Sequence, residues 1–128
     1  MLPRIGFELV DVRDVASLHR LAFENPEAAG QRFLCTNGFR WMADIANQVK
    51  RDFPDFAKIP AARCPTSVVK LAAVFIKEIA QFAKDVNQER RADNTPALDL
   101  GWKPRSAEEA IRAGAQSLID HGIATPKK

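Results

Sequence analysis

The sequence predicts a helix-rich α/β domain with a few short strands and four to five helices. Apolar and acidic residues alternate from Phe7 to Val12 and run directly into a helical repeat. A near-continuous apolar run over 31–36 has the length of a buried strand, and capping residues with helical spacing recur along the remaining chain. The chain has 128 residues, 46% hydrophobic and 27% charged, so we expect one globular domain over residues 1–128.

The first helix is expected directly after the strand at Phe7–Val12. Asp14 is predicted as its N-cap, because a carboxylate in that position can accept backbone N–H groups that have no helical partner. Pro26 and Gly30 should end the helix. The apolar residues that recur at helical spacing are Val15, Leu18, Leu21 and Ala22.

A second strand is predicted over 31–36, where the apolar run indicates burial on both faces, as in a parallel sheet. Thr36–Gly38 should form a turn that leads into a second helix, which Pro54 closes. The apolar face of that helix comprises Trp41, Met42, Ile45, Ala46 and Val49, with Trp41 as an expected packing anchor.

The longest helix is predicted over 66–86, and most of its circumference is apolar. A helix that is apolar on most sides is buried on most sides. In a chain of this size we therefore expect a partner subunit or a further domain, and we expect a homo-oligomer that forms through this helix. Phe75 is the expected packing anchor within it.

Two further helices are predicted near the C-terminus. Thr95 is a candidate N-cap with Pro96 in the first helical position, and Gly101 should end that short helix. Ser106 and Glu109 form an S-x-x-E capping box at the start of the last helix.

Trp102 stands between these two helices and is expected to be a packing anchor, with a place in the wall of a cleft as the alternative. Gly122 should end the last helix. The apolar residues of that helix are Ala110, Ile111, Ala115, Leu118 and Ile119.

The composition disfavours several functional classes. The net charge of +3 comes from scattered basic residues, whereas nucleic-acid binders concentrate them on one stripe. The N-terminus lacks the apolar core of a signal peptide, and no run is long and apolar enough to cross a membrane. Cys35 and Cys64 fit neither a metal site nor a disulfide framework. We expect both to be small buried groups in the reducing cytoplasm.

No catalytic constellation is visible in the sequence, and we assign no catalytic, cofactor-binding or metal-binding residue. Tyrosine is absent, and the six glycines never cluster into a phosphate-binding loop. His19 and His121 fall in predicted helices or at a helix end, where a structural role is favoured. Asp11, Arg13 and Asp14 could bind an anion, but a helix cap with a local ion pair is the favoured interpretation.

Three motifs in order give the sequence a family resemblance: "VDVRDVA" at Val10–Ala16, "GQRF" at Gly30–Phe33 and "LGW-x-PRS-x-EEAI" at Leu100–Ile111. They resemble the C-terminal part of an extended short-chain dehydrogenase/reductase of the NAD-dependent epimerase/dehydratase superfamily, in the dihydroflavonol reductase and cinnamoyl-CoA reductase group. The resemblance implies a partial Rossmann-type fold whose full-length members transfer hydride between NADP or NAD and a carbonyl or alcohol. It also implies that 31–36 closes one edge of the nucleotide-binding sheet.

The glycine-rich turn and the catalytic tyrosine with its lysine, which this family needs, match no position in the chain. The resemblance therefore implies the substrate-side region without the nucleotide-binding half, with no cofactor of its own and no activity alone. The alternative is a non-catalytic, homo-oligomeric binding or structural protein derived from such an enzyme. A nucleic-acid binder is disfavoured, and the loops match no pattern that would identify a substrate.

Overall fold

The computed structural model describes residues 2–56, 64–69 and 85–126. The helix-rich α/β class is confirmed. In chain order the elements are β1 (Gly6–Glu8), α1 (Val12–Glu24), a 3-10 turn (Pro26–Ala28), β2 (Phe39–Trp41), α2 (Met42–Asp52), α3 (Thr95–Asp99) and α4 (Ala107–Asp120).

The two strands form an antiparallel ribbon in which Gly6 lies opposite Trp41 and Glu8 opposite Phe39. Two hydrogen bonds extend the pairing beyond β1. The Leu9 N–H donates to the Gly38 carbonyl at 3.0 Å, and the Asn37 N–H donates to the Leu9 carbonyl at 2.7 Å. The strand predicted over Phe7–Val12 therefore exists, but it is shorter and begins one residue earlier.

Aromatic side chains cover one part of this ribbon. The rings of Phe39 and Trp41 meet edge to face with centroids 4.9 Å apart, and the Arg4 guanidinium lies 4.7 Å from the Trp41 ring centroid. A Cβ atom on Gly6 would stand 2.1 Å from Cζ of Phe39. The Phe39 ring therefore occupies the space above Gly6, and only a residue without a side chain fits beneath it.

Helix α1 begins at a different cap from the one predicted. Asp11 is the N-cap, and its carboxylate accepts the backbone N–H of Arg13 at 2.8 Å. Asp14 lies inside the first turn, so its predicted capping role is wrong. Both residues satisfy the cap preference, but the chain leaves the extended conformation at Asp11. Glu24 ends the helix just before Pro26, as expected.

The strand predicted over 31–36 is wrong for the chain as described. Its ends are held, because the Gln31 N–H donates to the Ala28 carbonyl at 3.0 Å and Nδ2 of Asn94 donates to the Thr36 carbonyl at 2.7 Å. Within the described ranges, no backbone group of 32–35 has a hydrogen-bond partner. A strand requires a paired neighbour, and the sheet that is present uses β2 in antiparallel pairing instead of a parallel arrangement.

Most of the helix predicted over 66–86, including Phe75, lies outside the described residues. Positions 66–69 are helical, and 85–87 form a turn, so the predicted end at Val86 is too late. Val69 and Val86 are buried against Ile5 in a small apolar cluster. The N-terminal segment is fixed beside this cluster, because the Asn87 N–H donates to the Arg4 carbonyl at 2.8 Å.

Helix α3 is capped by Asn94, and Thr95 is its first residue, so the prediction of Thr95 as N-cap is wrong. The Thr95 N–H instead donates to the Asp93 carboxylate at 2.9 Å. The predicted end is correct, because Gly101 adopts a φ of 97° and its N–H donates to the Leu98 carbonyl at 2.9 Å. Such a left-handed residue after a helix favours glycine, which has no Cβ to clash.

Helix α4 begins and ends where the sequence predicts. Oγ of Ser106 accepts the Glu109 N–H at 3.1 Å, which is one half of a capping box. Gly122 follows the helix with a φ of 68°, and the Ile123 N–H donates to the Leu118 carbonyl at 2.9 Å. Ala107 is the one α4 residue that is fully buried, so most of this helix's apolar face is only half covered.

A substitution at Gly6 tests the close approach of Phe39. Gly6→Ala should destabilise the fold by about 1–3 kcal/mol, because the Phe39 ring must leave its contact with Trp41. Gly114→Ala is the matched control, since nothing lies within 4 Å of its added Cβ. It should stabilise α4 by up to about 1 kcal/mol. Urea unfolding measures both changes, and an unchanged midpoint for Gly6→Ala would contradict the packing.

Candidate functional site

A buried carboxylate joins the two ends of the chain. Asp14 on α1 is 2% exposed. Its Oδ2 accepts the backbone N–H of Arg105 at 2.7 Å, and its Oδ1 pairs with the Arg105 guanidinium. Its backbone carbonyl accepts Nε1 of Trp102 at 2.9 Å. A residue near the start of the chain therefore fixes the loop between α3 and α4.

Trp102 makes the apolar contacts of this junction. We call Asp14, Trp102 and Arg105 together the Asp14 hub. Trp102 is 3% exposed and packs against Leu18 of α1 and Ala97 of α3. Its amide donates to the Ala97 carbonyl at 3.1 Å, which completes the α3 terminus that begins at Gly101. Trp102 therefore packs in the interior of the described residues and lines none of the depressions between them.

A chain of ion pairs extends from the hub to the surface. Arg105 contacts Glu109 at 3.2 Å, Glu109 contacts Arg13 at 3.7 Å, and Arg13 contacts Asp11 at 2.6 Å. The hydrogen bond from the Arg13 side chain lowers the pKa of Asp11 from 3.8 to about 2, against the opposing effect of burial. Each guanidinium here already has a carboxylate partner, which favours the predicted cap and local ion pair over an anion site.

A second polar contact joins α2 to α4, and the sequence analysis did not identify it. Nε2 of Gln48, which is 7% exposed, donates to the Glu108 carbonyl at 2.7 Å. Arg40 pairs with the Glu108 carboxylate, and its hydrogen bond lowers the pKa of that carboxyl. Arg112 contacts Asp52 at 3.2 Å. The sequence does contain a signal for this contact, because Gln48 stands beside the apolar face of α2. A polar side chain that is buried there needs a hydrogen-bond partner.

The residues that could act as nucleophile or base are dispersed. His19 is exposed, and its Nδ1 contacts the Val15 carbonyl at 2.8 Å on its own helix. His121 is the exposed C-cap of α4. Cys35 and Cys64 are half-buried free thiols, and burial raises the pKa of Cys35, which disfavours its thiolate. In the described part of the chain, no group of metal-ligating residues occurs.

Four open depressions are lined by described residues. The first, of about 470 Å³, is lined by Asp52, Glu109 and Arg112, whose charges are already paired. The second, of about 420 Å³, separates the start of α1 from α4, and Asp11, Arg13 and Ser117 line it beside small and apolar residues. The third, of about 210 Å³, lies beside Arg4 and Trp41, and the fourth, of about 270 Å³, lies along β1. The second depression brings the Ser117 hydroxyl and the Asp11 carboxylate together, but that carboxylate is paired with Arg13 and is not a free base.

The joint between β1 and α1 does not fit the pyrophosphate of a nicotinamide dinucleotide. A pyrophosphate binds to free N–H groups at a helix N-terminus behind a glycine-rich turn. The joint between β1 and α1 contains no glycine, and Asp11 places a negative charge on the α1 N-terminus. Gly6, the nearest glycine, is covered by the Phe39 ring.

Within residues 2–56, 64–69 and 85–126, no helix has the length and hydropathy needed to cross a membrane.

No family model matches the sequence. A ketoreductase of Aspergillus niger is 42% identical over 62 residues, which are 48% of this chain and 18% of the relative. The NADPH-dependent methylglyoxal reductase of Saccharomyces cerevisiae is 36% identical over 53 residues, 41% of this chain and 16% of the relative. Cinnamoyl-CoA reductase of Petunia hybrida is 40% identical over 47 residues, 37% of this chain and 14% of the relative.

Solved structures match more of the chain. The yeast methylglyoxal/isovaleraldehyde reductase in complex with NADPH aligns with a TM-score of 0.65 and 28% identity, covering 95% of this chain and 36% of that one. A Candida albicans reductase of the same kind, also with NADPH, aligns with a TM-score of 0.66 and 25% identity over 94% of this chain and 32% of that one. The chain therefore spans about a third of these structures.

Removal of the buried charge tests the Asp14 hub. Asp14→Asn should cost about 2–4 kcal/mol of stability, because the Arg105 guanidinium loses its counter-charge and one of the two acceptor oxygens becomes an NH2 donor facing another donor. Asp99→Asn is the control, since Asp99 is an exposed aspartate on α3, and it should change stability by less than about 0.5 kcal/mol. Equal effects of the two substitutions in urea unfolding would contradict a structural role for Asp14.

The low pKa of Asp11 makes stability depend on pH. The folded pKa of about 2 lies below the ordinary value of 3.8, so the stabilisation is complete above pH 3.8 and is lost as the pH falls toward 2. Asp11→Asn keeps a capping oxygen but removes the charge, and it should reduce the slope of stability against pH in this window. Glu108, whose pKa is also lowered, should supply a residual slope. Denaturation at stepped pH measures the slope, and identical slopes would contradict the ion pair.

Three family motifs occur in order, two of them meet at the Asp14 hub, and both sequences and solved structures of NADPH-dependent reductases match parts of the chain. The chain therefore resembles a part of the extended short-chain dehydrogenases/reductases of the NAD-dependent epimerase/dehydratase superfamily, and the matches cover only a part of the relatives' length.

Proposed function

We propose that this chain forms the C-terminal, substrate-side region of an NAD(P)-dependent carbonyl or alcohol reductase and transfers no hydride by itself. The supporting observation is that the chain aligns along 95% of its own length with a part of a reductase that binds NADPH. NADPH is named for that relative and for the yeast methylglyoxal reductase, which favours NADP over NAD for the whole enzyme.

The missing chemistry supports inactivity of the isolated chain. Hydride transfer to a carbonyl requires a proton donor beside the substrate, and this family uses a tyrosine. The sequence contains none. Asp11, Asp14 and Glu109 are each held in ion pairs of the hub and its extension, so their carboxylates are partners of arginines even where Asp11 and Glu109 line a depression.

The chain's own contribution is a rigid support. The Asp14 hub fixes α1 against the loop that leads into α4, and the pairing of Gln48 and Arg40 with Glu108 fixes α2 and β2 on the other side of α4. These contacts position the aromatic ribbon of Phe39 and Trp41 relative to the helices. A wall of this kind orients a substrate and excludes water once the cofactor-bearing part is in place.

A homo-oligomeric binding or structural protein is the second candidate, and the exposed surface favours it. Several large apolar side chains of the described residues face water, with Phe23 at 92%, Val12 at 78% and Ile123 at 72% exposure. Self-association through the predicted helix at 66–86 stays a prediction, because most of it lies outside the described residues.

We place either form in the cytoplasm, and the support is its cysteine chemistry. Cys35 and Cys64 are both free thiols in the structure. A reducing compartment keeps such thiols unpaired.

An assay of the purified chain tests the proposed function. With NADPH and methylglyoxal, the chain alone should oxidise no cofactor above the buffer rate and should not enhance nicotinamide fluorescence, because it lacks a proton donor and a phosphate loop. The intact yeast methylglyoxal reductase serves as the positive control. Steady turnover by the isolated chain, lost on heat denaturation, would overturn the proposal.

A further inference from the structure

The outward face of α1 carries an apolar stripe that faces water. Asp14 and Leu18 on the inward face are buried, whereas most of the surface of Val12 and Phe23 is exposed. At 3.6 residues per turn, the exposed residues of the stripe lie within about 60° of one another around the helix axis. They are Val12, Ala16, His19 and Phe23. An apolar stripe of this kind, running from the first turn of a helix to its last, indicates an interaction surface.

The stripe is complementary to a second copy of itself when two α1 helices pack antiparallel. A two-fold axis midway along the stripe places Val12 opposite Phe23 of the second copy. The same axis places Ala16 opposite His19. Each pairing sets a ring against a smaller side chain, which lets the two surfaces interdigitate. His19 can be covered in this way, because its Nδ1 already contacts the Val15 carbonyl at 2.8 Å on its own helix.

Charged side chains beside the stripe fit the same register. Arg13 and Glu24 lie on one flank of α1, and both side chains are at least half exposed. Along the helix axis they are roughly 16 Å apart at 1.5 Å per residue, too far to pair within one copy. Antiparallel packing brings Arg13 of each copy within one turn of Glu24 of the other, whereas parallel packing keeps them apart. The guanidinium has five N–H donors, and its hydrogen bonds to the Asp11 side chain use two of them.

An open depression lies where Phe23 of the second copy would arrive. Val12 lines the depression of about 420 Å³ between α1 and α4, so a ring placed opposite Val12 lies at its mouth. Ala113 and Gly114 of α4 form part of its walls, and a Cβ added at Gly114 would meet nothing within 4 Å. The space is therefore open to an aromatic side chain, and filling it removes apolar surface of both copies from water.

We propose that the outward face of α1 binds a second copy of this chain as an antiparallel, two-fold symmetric helix pair, in which Phe23 of each copy packs against Val12 of the other. This surface is different from the predicted helix at 66–86. The inference goes beyond the proposed function, because it holds whether or not the chain supports catalysis. The face is small compared with the interface of an obligate dimer, so we expect a dissociation constant of about 10–100 µM.

Sedimentation velocity of the full chain, from about 5 to 500 µM, provides the first test. The unsubstituted chain should shift from monomer to dimer across this range. Phe23→Glu places a charge in the contact and should weaken association by about tenfold or more. Leu98→Glu is the matched control, because Leu98 is also an exposed apolar residue but lies on α3, which packs against the inward face of α1. It should leave the dissociation constant within about threefold of the parent value.

Substitutions at Gly114 test the depression from the other side of the contact. Gly114→Leu fills the space without a clash in its own copy, since nothing lies within 4 Å of the added Cβ. It should weaken association by about tenfold, because the ring of Phe23 then has no place to enter. Gly114→Ala leaves most of the space open and should change the dissociation constant by less than about threefold. Circular dichroism confirms that each variant is folded.

Disulfide cross-linking tests the register of the two helices. Val12→Cys and Phe23→Cys chains, mixed in equal amounts and oxidised, should give mainly the mixed dimer, which mass spectrometry distinguishes from the two like dimers. Like positions lie roughly 16 Å apart along the antiparallel pair, too far for a disulfide. The unsubstituted chain, oxidised in the same way, is the control for its own two thiols.

Three results would overturn the proposal. They are a chain that stays monomeric up to the highest concentration, an oligomer that Phe23→Glu leaves intact, which assigns self-association to another surface, and cross-linking mainly between like positions. A dimer that Phe23→Glu and Gly114→Leu disrupt and Leu98→Glu preserves supports it. Failure of the proposed function is separate, since it would appear as turnover by the isolated chain and none of these measurements involves the cofactor.

Discussion

The burial of the Asp14 carboxylate is the constraint on which the rest of the structure depends. A buried charge without partners is strongly unfavourable, so its acceptor sites must be filled. Arg105 fills them with a backbone N–H and a guanidinium, and Trp102 donates to the carbonyl of the same residue. Because these donors come from the loop before α4, the position of α1 dictates the path of the C-terminal region.

The ion pairs around Asp14 also explain why the described residues include many charged side chains but few that are free for acid–base catalysis. The hub and its extension hold Arg13 and Glu109 at the surface, and a second contact holds Arg40 and Glu108 between β2 and α4. Groups that would otherwise be candidates for acid–base work are thus partners of one another. This polar framework fixes the relative positions of the described helices.

The apolar interior of the described residues is divided into two clusters. One cluster surrounds Leu18, Ala97 and Trp102, and a second joins Ile5 to Val69 and Val86. Phe33 and Cys35 pack against the first cluster, although the backbone at 32–35 makes no hydrogen bond among the described residues. The apolar face of α4 is only half covered.

Local sequence patterns were sufficient to predict the helix-rich class, the Ser106 cap, the glycine ends of α3 and α4, and the family resemblance. These depend on neighbours within a few residues, where side-chain chemistry and backbone sterics decide. The tertiary structure decided the rest. It chose Asp11 over Asp14 as the cap because Asp14 was needed for Arg105, 91 positions later. It also left 32–35 without a strand partner among the described residues, because a strand exists only where another strand meets it, and no local pattern supplies that partner.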